Sequence, residues 1–567
     1  MNPSRGKVSQ SVPANPALFL DKAHPPIQET KQVKEVLEKA AKYRADWTAA
    51  EKHFGRFREA IQSMPGAVEE SLVTNGPLAL HLARAGAFEN ASLSFHPVFA
   101  VPFLPGSGLK GIARSWAENC AAVPPAEIQR IFGPRLVEGQ LEAAAAGSVV
   151  FYDAIPADEH FQTVVDIVNS HHSAWYQGGS NYEDIEDPVP VFFLAIGKGA
   201  KFHFAVAPRR GQAVDDAKKA FLWLKHGLVY LGAGAKTSAG YGRFQGEWPK
   251  TDRYSEKEFQ LELVSPAFLA GAGQKKEDCE LRGSTLRGIL RWWWRAEFSS
   301  WFNAKQLREL ESALWGSASQ QGALQLVVES IQTPEPKLFT IRPNKFDVNQ
   351  SYIAYGMNDA KKGTRFYLDA GAKWRLRIIA NSFHFGRVEL SAQSALAVAE
   401  RSLSRVCSFG GIGAKARKGY GSLQSNAQAQ KEATDVFLKS TGGNLQRSVS
   451  GPCFLLSESS TAFPLKTNDL QQALNLLAKA YKGIPKKFVD YGLPRTGLFK
   501  TPVKRCSSPL HFSLKRQGDG QYVVRLTVLP TPSINNIKVK DAGGAWKWER
   551  PFRAIEDFRE KLKEYVN

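Results

Sequence analysis

Apolar residues Val33, Val36, Leu37, Ala40, Tyr43 and Trp47 recur at helical spacing with charged residues between them. An amphipathic helix is therefore expected over about 29–62, behind a Pro/Ser-rich leader at 1–28. Runs rich in Val, Phe and Leu predict strands at Leu78–Leu82, Leu93–Phe103, Ser148–Tyr152, Val189–Ala195 and Lys201–Val206. Helices are expected at Ile112–Cys120 and Val214–Tyr230. The chain turns polar at Trp248–Arg253, and a fresh alternation opens with Phe259–Val264, which places a boundary there. Beyond it, helices are predicted at Ile289–Phe302, Leu307–Leu314 and Leu390–Val406, with strands at Leu324–Ser330 and Trp374–Ile379. A stretch rich in Gln, Ser, Lys and Asn at 423–450 reads as a linker. A last segment follows, with a helix near Leu470–Tyr481 and strands near Leu510–Leu514 and Tyr522–Leu529.

Two motifs punctuate this pattern twice, in the same order. Gly106-Ser-Gly-Leu-Lys-Gly111 precedes Gly232-Ala-Gly-Ala-Lys-Thr-Ser-Ala-Gly-Tyr-Gly242 by 126 residues. Gly283-Ser-Thr-Leu-Arg-Gly288 precedes Gly411-Ile-Gly-Ala-Lys-Ala-Arg-Lys-Gly-Tyr-Gly421 by 128. Two diverged copies of one module thus stand in tandem. Strands and helices interleave, and the second motif follows a helix in both copies. The expected class is α+β, with tandem ferredoxin-like modules built on antiparallel sheets, an N-terminal helical extension and a C-terminal α+β segment. The expected divisions are 1–64, 65–250, 251–422, the linker 423–450, and 451–567.

Charge sharpens the picture. The net charge of +20 is uneven: residues 1–250 carry 26 Lys+Arg against 25 Asp+Glu, and residues 251–567 carry 48 against 29. A polyanionic partner engaged mainly by the second part is expected, with salt-sensitive affinity. No apolar run approaches a membrane span, and no secretory h-region is present. Five scattered cysteines form neither a disulfide framework nor a CxxC zinc site, and a reducing cytoplasm is the expected compartment.

Close-approach glycines paired with Lys or Arg suit a phosphate backbone, and Lys110 could face an anion at a helix N-terminus. Neither motif is a Walker A loop. Gly411–Ala416 satisfies GxGxxA formally but runs on into another glycine-rich basic loop, so no dinucleotide cofactor is expected. Arg287, Arg291 and Arg295 recur at helical spacing around Trp292, Trp293 and Trp294. Three adjacent indoles cannot share one helical face, so at least one anchors the core. The arginines then either line up on phosphates, with or without an aromatic under a base, or are simply solvated. His171-His172 with the acidic residues 183–187 is read as a solvated loop rather than a metal site. No nucleophile–base or paired-carboxylate arrangement stands out.

These motifs resemble those of the RAMP proteins of CRISPR effector complexes. Pro102–Gly111, Val165–His171 with Trp175-Tyr176, and Asp187–Phe193 are similar to subunit six of the type III-B (Cmr) complex. Leu281–Ala296, Leu314–Ser317, the Gly410–Gly421 loop and Arg505–Leu510 are similar to subunit one. The resemblance implies a fusion of the two and a non-catalytic role in antiviral defence, holding the 3′ region of the CRISPR RNA and the target RNA. It implies other type III RAMP subunits, backbone and small, as partners, with no cofactor or metal. The cleaving relatives carry an Asp before the first motif where Asn90 stands here; Glu89 beside it, Asp278 with Glu280 in the second copy, and His171 are the residues an endoribonuclease reading would need. Expected on RNA are Ser107, Lys110, Arg114, Lys236, Arg287, Arg291, Trp293, Arg295, Lys415, Arg417 and Lys418. Tyr241 and Tyr420 either stack on a base or pack the loop.

Overall fold

A computed structural model describes residues 15–16, 19–20, 30–43, 47–80, 91–135, 145–179, 188–209, 213–251, 254–317, 319–340, 348–359, 363–428, 431–443, 460–484, 510–529 and 553–566. Contacts divide the chain into two compact units, one of Met1–Val168 with Pro190–Arg253, the other of Asn169–Val189 with Tyr254–Asn567. Residues 169–189 therefore interrupt the first unit in sequence but belong to the second.

In the second unit, strand β7 (Ser255–Leu263) buries Phe259, Leu261 and Leu263 and exposes the residues between, the period-two pattern of a half-covered sheet. Each such buried side chain stabilises by roughly 1.5–3 kcal/mol. Its sheet contains β8 (Leu324–Gln332), β9 (Lys373–Ala380) and β10 (Leu423–Ser425), in the order β10-β7-β9-β8 and antiparallel throughout. Helix α7 (Gly283–Phe298) lies between the first two strands in sequence, and α9 (Ala392–Phe409) between the last two; α8 (Ala304–Trp315) is an addition. This is the βαββαβ ferredoxin-like arrangement. The first unit repeats it with β1 (Val68–Val73), β2 (Val149–Phe151) and β6 (Lys201–Pro208) in the order β1-β6-β2. A bridge between Thr74 and Phe244 stands where the fourth strand would lie. Its helices are α3 (Gly106–Asn119) and α6 (Val214–Tyr230). The expected α+β class with antiparallel sheets is present in both copies. A further three-stranded sheet, Ser460–Pro464, Tyr522–Val528 and Leu510–Arg516 with Tyr522–Val528 central, shares a core with helices Leu470–Gly483 and Arg553–Val566.

Several local readings change. The extension is two helices, α1 (Thr30–Ala41) and α2 (Trp47–Gln62), not one. Leu93–Phe103 contributes only the Phe95–Pro102 bridge, and Leu78–Leu82, of which residues 81–82 lie outside the described ones, shows bridges at Leu78 and Ala79. The stretch read as a linker holds β10 and helix α10 (Lys431–Ser440), whose Phe437 and Leu438 are buried among the second unit's core residues. Residues 444–450 lie outside the described ones. The first motifs are not turns before helices but the first helical turns themselves, because each helix starts at the motif's leading glycine. At Gly106 a side chain is barred by the sheet: a Cβ would lie 2.3 Å from the Phe151 carbonyl oxygen.

The second motifs form the same loop twice. The amide of Gly242 donates to the Pro77 carbonyl, and that of Gly421 to Pro266. Ala235 donates to Ala79 as Ala414 does to Phe268, and Ala233 donates to Gly242 as Ile412 does to Gly421. Gly242 and Gly421 sit at φ +70° and +67°, and a Cβ there would lie 1.8 Å from Ala233 O and 1.9 Å from Ile412 O. These glycines are demanded by the loop's own backbone, without reference to any ligand. Gly421→Ala is expected to lower the unfolding free energy by at least about 1–3 kcal/mol. Gly288→Ala, on α7 with no atom within 4 Å of an added Cβ, is expected to raise it by about 0.5–1 kcal/mol. Urea unfolding of the two variants beside the wild type checks both signs.

Candidate nucleic-acid interface

In the first unit the anion site expected at the start of α3 is already occupied by protein. The Gly106 amide donates to Asp153 Oδ1 at 2.7 Å, so a carboxylate of the chain itself sits at the helix N-terminus. Basic character lies instead along the helix. Lys110 is partly buried and faces Arg114 and Arg209; burial first, then those two cations, lower its pKa. Arg114 is committed to Glu118 at 2.8 Å and to the Gly133 carbonyl at 3.1 Å. Exposed Arg209 was missed in the sequence, although the Arg209-Arg210 pair closing β6 was the available signal. Ser107 is exposed on the first turn. In the loop that follows α6, Lys236 adopts a left-handed backbone, φ 60°, and its ammonium lies 4.8 Å from the Phe193 ring centroid. Partial burial lowers its pKa and Asp166 opposes that shift. Tyr241 is 3% exposed and donates to Asp166 Oδ2 at 2.5 Å, so it packs the loop.

In the second unit the arginine ladder turns inward. Arg287, at 9% exposure, donates to the Leu324 carbonyl at 3.0 Å and to the Trp315 carbonyl, the last of α8. Burial pushes its pKa down to about 9. Arg295, at 2%, donates to Glu311 Oε1 at 2.7 Å and to the Tyr176 hydroxyl at 3.3 Å. Arg291 donates to the same Glu311 oxygen at 2.8 Å and keeps 16% of its side chain exposed. The Trp175 indole N–H supplies Glu311 Oε2 at 2.7 Å. Burial disfavours the Glu311 charge, but Arg295 and Arg291 outweigh it and hold its pKa below the usual carboxylate range. Glu297, at the far end of α7, is held likewise by Arg405 and Arg401 of α9. Trp293, at 3%, lies against Gly410, where a Cβ would be 2.6 Å from its indole nitrogen. Arg287, Arg295 and Trp293 are buried among protein groups, away from the solvent surface where RNA contact was expected of them, and Tyr241 and Tyr420 take the loop-packing alternative. Sequence spacing showed that the ladder shares a helix face but not that α8 brings a carboxylate to that face.

The solvent side of this cluster remains cationic. Lys415 repeats the left-handed conformation of Lys236, φ 63°, and partial burial lowers its pKa. Arg417 lies 5.6 Å over the ring of Trp292, the one partly exposed indole of the three, which also stacks with His511 at 5.4 Å and meets Trp293 edge-on at 5.0 Å. Lys418 lies 3.9 Å over the Tyr481 ring and bonds its hydroxyl. Tyr420 is fully buried. His172 is pushed down to about 2 by burial, then by Arg295, His171, Arg417 and Arg291. It adds no charge of its own. His511 is lowered well below its usual value by burial, Arg417 and Lys418.

Of the residues a nuclease reading needs, Glu89 and Asn90 lie outside the described residues. Asp278 accepts the Lys275 amide at 3.1 Å in a turn, and exposed His171 accompanies the Asn169 carbonyl at 2.9 Å. Among the described residues no three His, Cys, Asp or Glu side chains converge as metal ligands, and no helix is long and apolar enough to cross a membrane.

The RAMP superfamily model matches residues 66–245 and again 260–424, one match on each ferredoxin-like copy. The chain belongs to the RAMP superfamily. Among curated relatives it is 40% identical over 125 residues to CRISPR system Cmr subunit Cmr6 of Pyrococcus furiosus, 21% of this chain and 34% of that one. It is 27% identical over 172 residues to Cmr1-1 of the same organism, 30% of this chain and 47% of that one. It is 26% identical over 207 residues to Cmr6 of Saccharolobus solfataricus, 36% of this chain and 66% of that one. The RAMP chain thus spans about a third to two thirds of these relatives' lengths. The crystal structure of apo Cmr1 from Pyrococcus furiosus aligns with TM-score 0.38 at 20% identity, over 55% of this chain and 97% of that one. That of Cmr6 aligns with TM-score 0.21 at 27% identity, over 32% and 97%. The chain joins a Cmr6-like and a Cmr1-like RAMP module.

Removing the buried carboxylate tests the cluster. Glu311→Ala leaves Arg295 charged and without its acid, which is expected to cost about 3–5 kcal/mol at neutral pH. Because the folded pKa of Glu311 is depressed, its stabilisation is present above the unfolded carboxylate value of about 4.3. It is lost as pH falls below that toward the folded value. Denaturant unfolding across that acid range should show a shallower acid limb for the variant than for the wild type.

Proposed function

We propose that this RAMP chain is a non-catalytic RNA-binding structural subunit of a type III CRISPR effector complex, with residues 65–250 as its Cmr6-like module and 251–567 as its Cmr1-like one. It holds the 3′ region of the CRISPR RNA and the paired target RNA, beside backbone and small RAMP subunits. The observation that carries the reading is the same lysine, Lys236 and Lys415, raised from a left-handed residue by the same glycine-locked loop in both copies. A non-glycine residue there is strained by about 1–3 kcal/mol. Recurrence of the strain in two otherwise diverged copies is explained if the ammonium position matters.

Further support comes from the helices. Gly111 and Gly288 occupy the same position of the first motif, both exposed and mid-helix, and an added Cβ would meet no atom within 4 Å at either. Glycine there costs about 0.5–1 kcal/mol relative to alanine with no internal steric need for it. A bare helix face suits close approach of a ligand backbone. Ser107, Lys110, Arg209 and Lys236 in the first copy, and Arg291, Lys415, Arg417 and Lys418 in the second, are the proposed contacts. Contacts of this kind read backbone charge and shape rather than base identity. The Cmr-beta complex among the structural neighbours is described as bound to cognate target RNA, which accords with that ligand.

Fluorescence anisotropy with single-stranded RNA across a salt series tests the reading. Lys415→Ala and Arg417→Ala are each expected to weaken binding and to reduce the salt slope by about 0.7 per lost phosphate contact, with the RNA recovered intact. Unchanged affinity and slope in both variants contradict the assignment of this loop. Scission abolished by Asp278→Asn or His171→Ala favours an endoribonuclease instead.

A further inference from the structure

Residues 169–179 leave the first copy in sequence and belong to the second unit, and their anchoring is more elaborate than a connecting loop requires. Trp175 is fully buried, bonded to Glu311, with the Arg308 guanidinium 4.6 Å over its ring. Arg308 also donates to the Gly179 carbonyl. The next residue, Tyr176, is 45% exposed. Its ring has the Arg291 guanidinium at 4.8 Å and that of Arg295 at 5.9 Å, and its hydroxyl takes the Arg295 hydrogen bond. A large aromatic is thus held rigid from below by its neighbour, oriented by two arginines, and left partly open to solvent.

We propose that Tyr176 is a stacking platform for one nucleobase of single-stranded RNA on the cationic surface of the second unit. The proposal rests on the RNA-binding function above and adds to it a residue from outside the Cmr1-like part of the chain. The chemistry favours this ligand over an apolar partner, because the Arg291 and Arg295 guanidiniums lie at the ring, Arg308 lies over the adjacent Trp175, and Glu311 is the carboxylate that pairs with Arg291 and Arg295. A base on an aromatic face gains about 1–3 kcal/mol whatever its identity, and a preoriented ring loses little entropy on binding. Bases within a duplex are already stacked and offer no free face, so the platform distinguishes single strands.

The test uses the full chain and three variants, with a single-stranded RNA and a duplex of the same sequence as probes. Tyr176→Ala should weaken single-strand binding roughly 5- to 100-fold. It should leave the salt slope and duplex affinity as in the wild type. Tyr176→Phe and Tyr176→Trp keep the ring and should bind like the wild type, whereas a role through the hydroxyl and Arg295 alone would make the Phe variant fail. Tyr176→Ala binding single strands at wild-type affinity while Lys415→Ala is impaired overturns the platform and leaves the proposed function standing. Failure of the wild type to bind either RNA overturns both. Thermal unfolding of the Ala variant at the wild-type midpoint confirms that a loss of binding is not a loss of fold.

Discussion

Glu311 has almost no access to water, and three donors from two separate parts of the chain, Trp175 and the pair Arg291 and Arg295 on α7, converge on its two oxygens. A carboxylate so placed is tolerable only if each lone pair it offers is used. That requirement fixes the rotation of α7, since Arg291 and Arg295 must both face α8. At its other end α7 meets the same constraint at Glu297, which Arg401 and Arg405 reach from α9. Helix α9 runs directly into the glycine loop. The place at which Lys415 is presented therefore follows from two buried acids that touch no ligand themselves.

The repeat shows which parts of a motif answer to the fold and which do not. Gly234, Gly242, Gly411, Gly413 and Gly421 of the second motif are explained by backbone carbonyl oxygens 1.8–2.8 Å from where a side chain would begin, and the tyrosines by burial of their rings. The lysine is not explained that way. In the first motif the division falls between Gly106, crowded by the sheet, and Gly111, which faces open space. Motif recurrence alone had merged these into one phosphate-binding signature; local sterics separate them.

Much of the fold was legible because it depends on periodicity. Val214–Tyr230 forms the helix its apolar spacing predicted, and β7, β8 and β9 lie where alternation or β-branched runs placed them. The stretch at 431–440 was missed because its large apolar residues, Val436, Phe437 and Leu438, are consecutive in an otherwise mostly polar sequence and do not recur as a helical stripe. The candidate site was read less well. Lys and Arg in glycine loops carry a local signal, but the fate of Arg287 and Arg295 turns on Trp315, Leu324 and Glu311, whose proximity arises from tertiary packing. Tyr176 carried even less, since nothing between positions 169 and 179 announces membership of a unit that resumes at Tyr254.

That membership bears on the order in which the chain is made. Trp175 emerges from the ribosome 136 residues before Glu311. At roughly 5–20 residues per second that is an interval of about 7–27 s. During that time one of the second unit's largest core side chains has no core to enter. The second unit therefore closes around a piece of chain delivered with the earlier one.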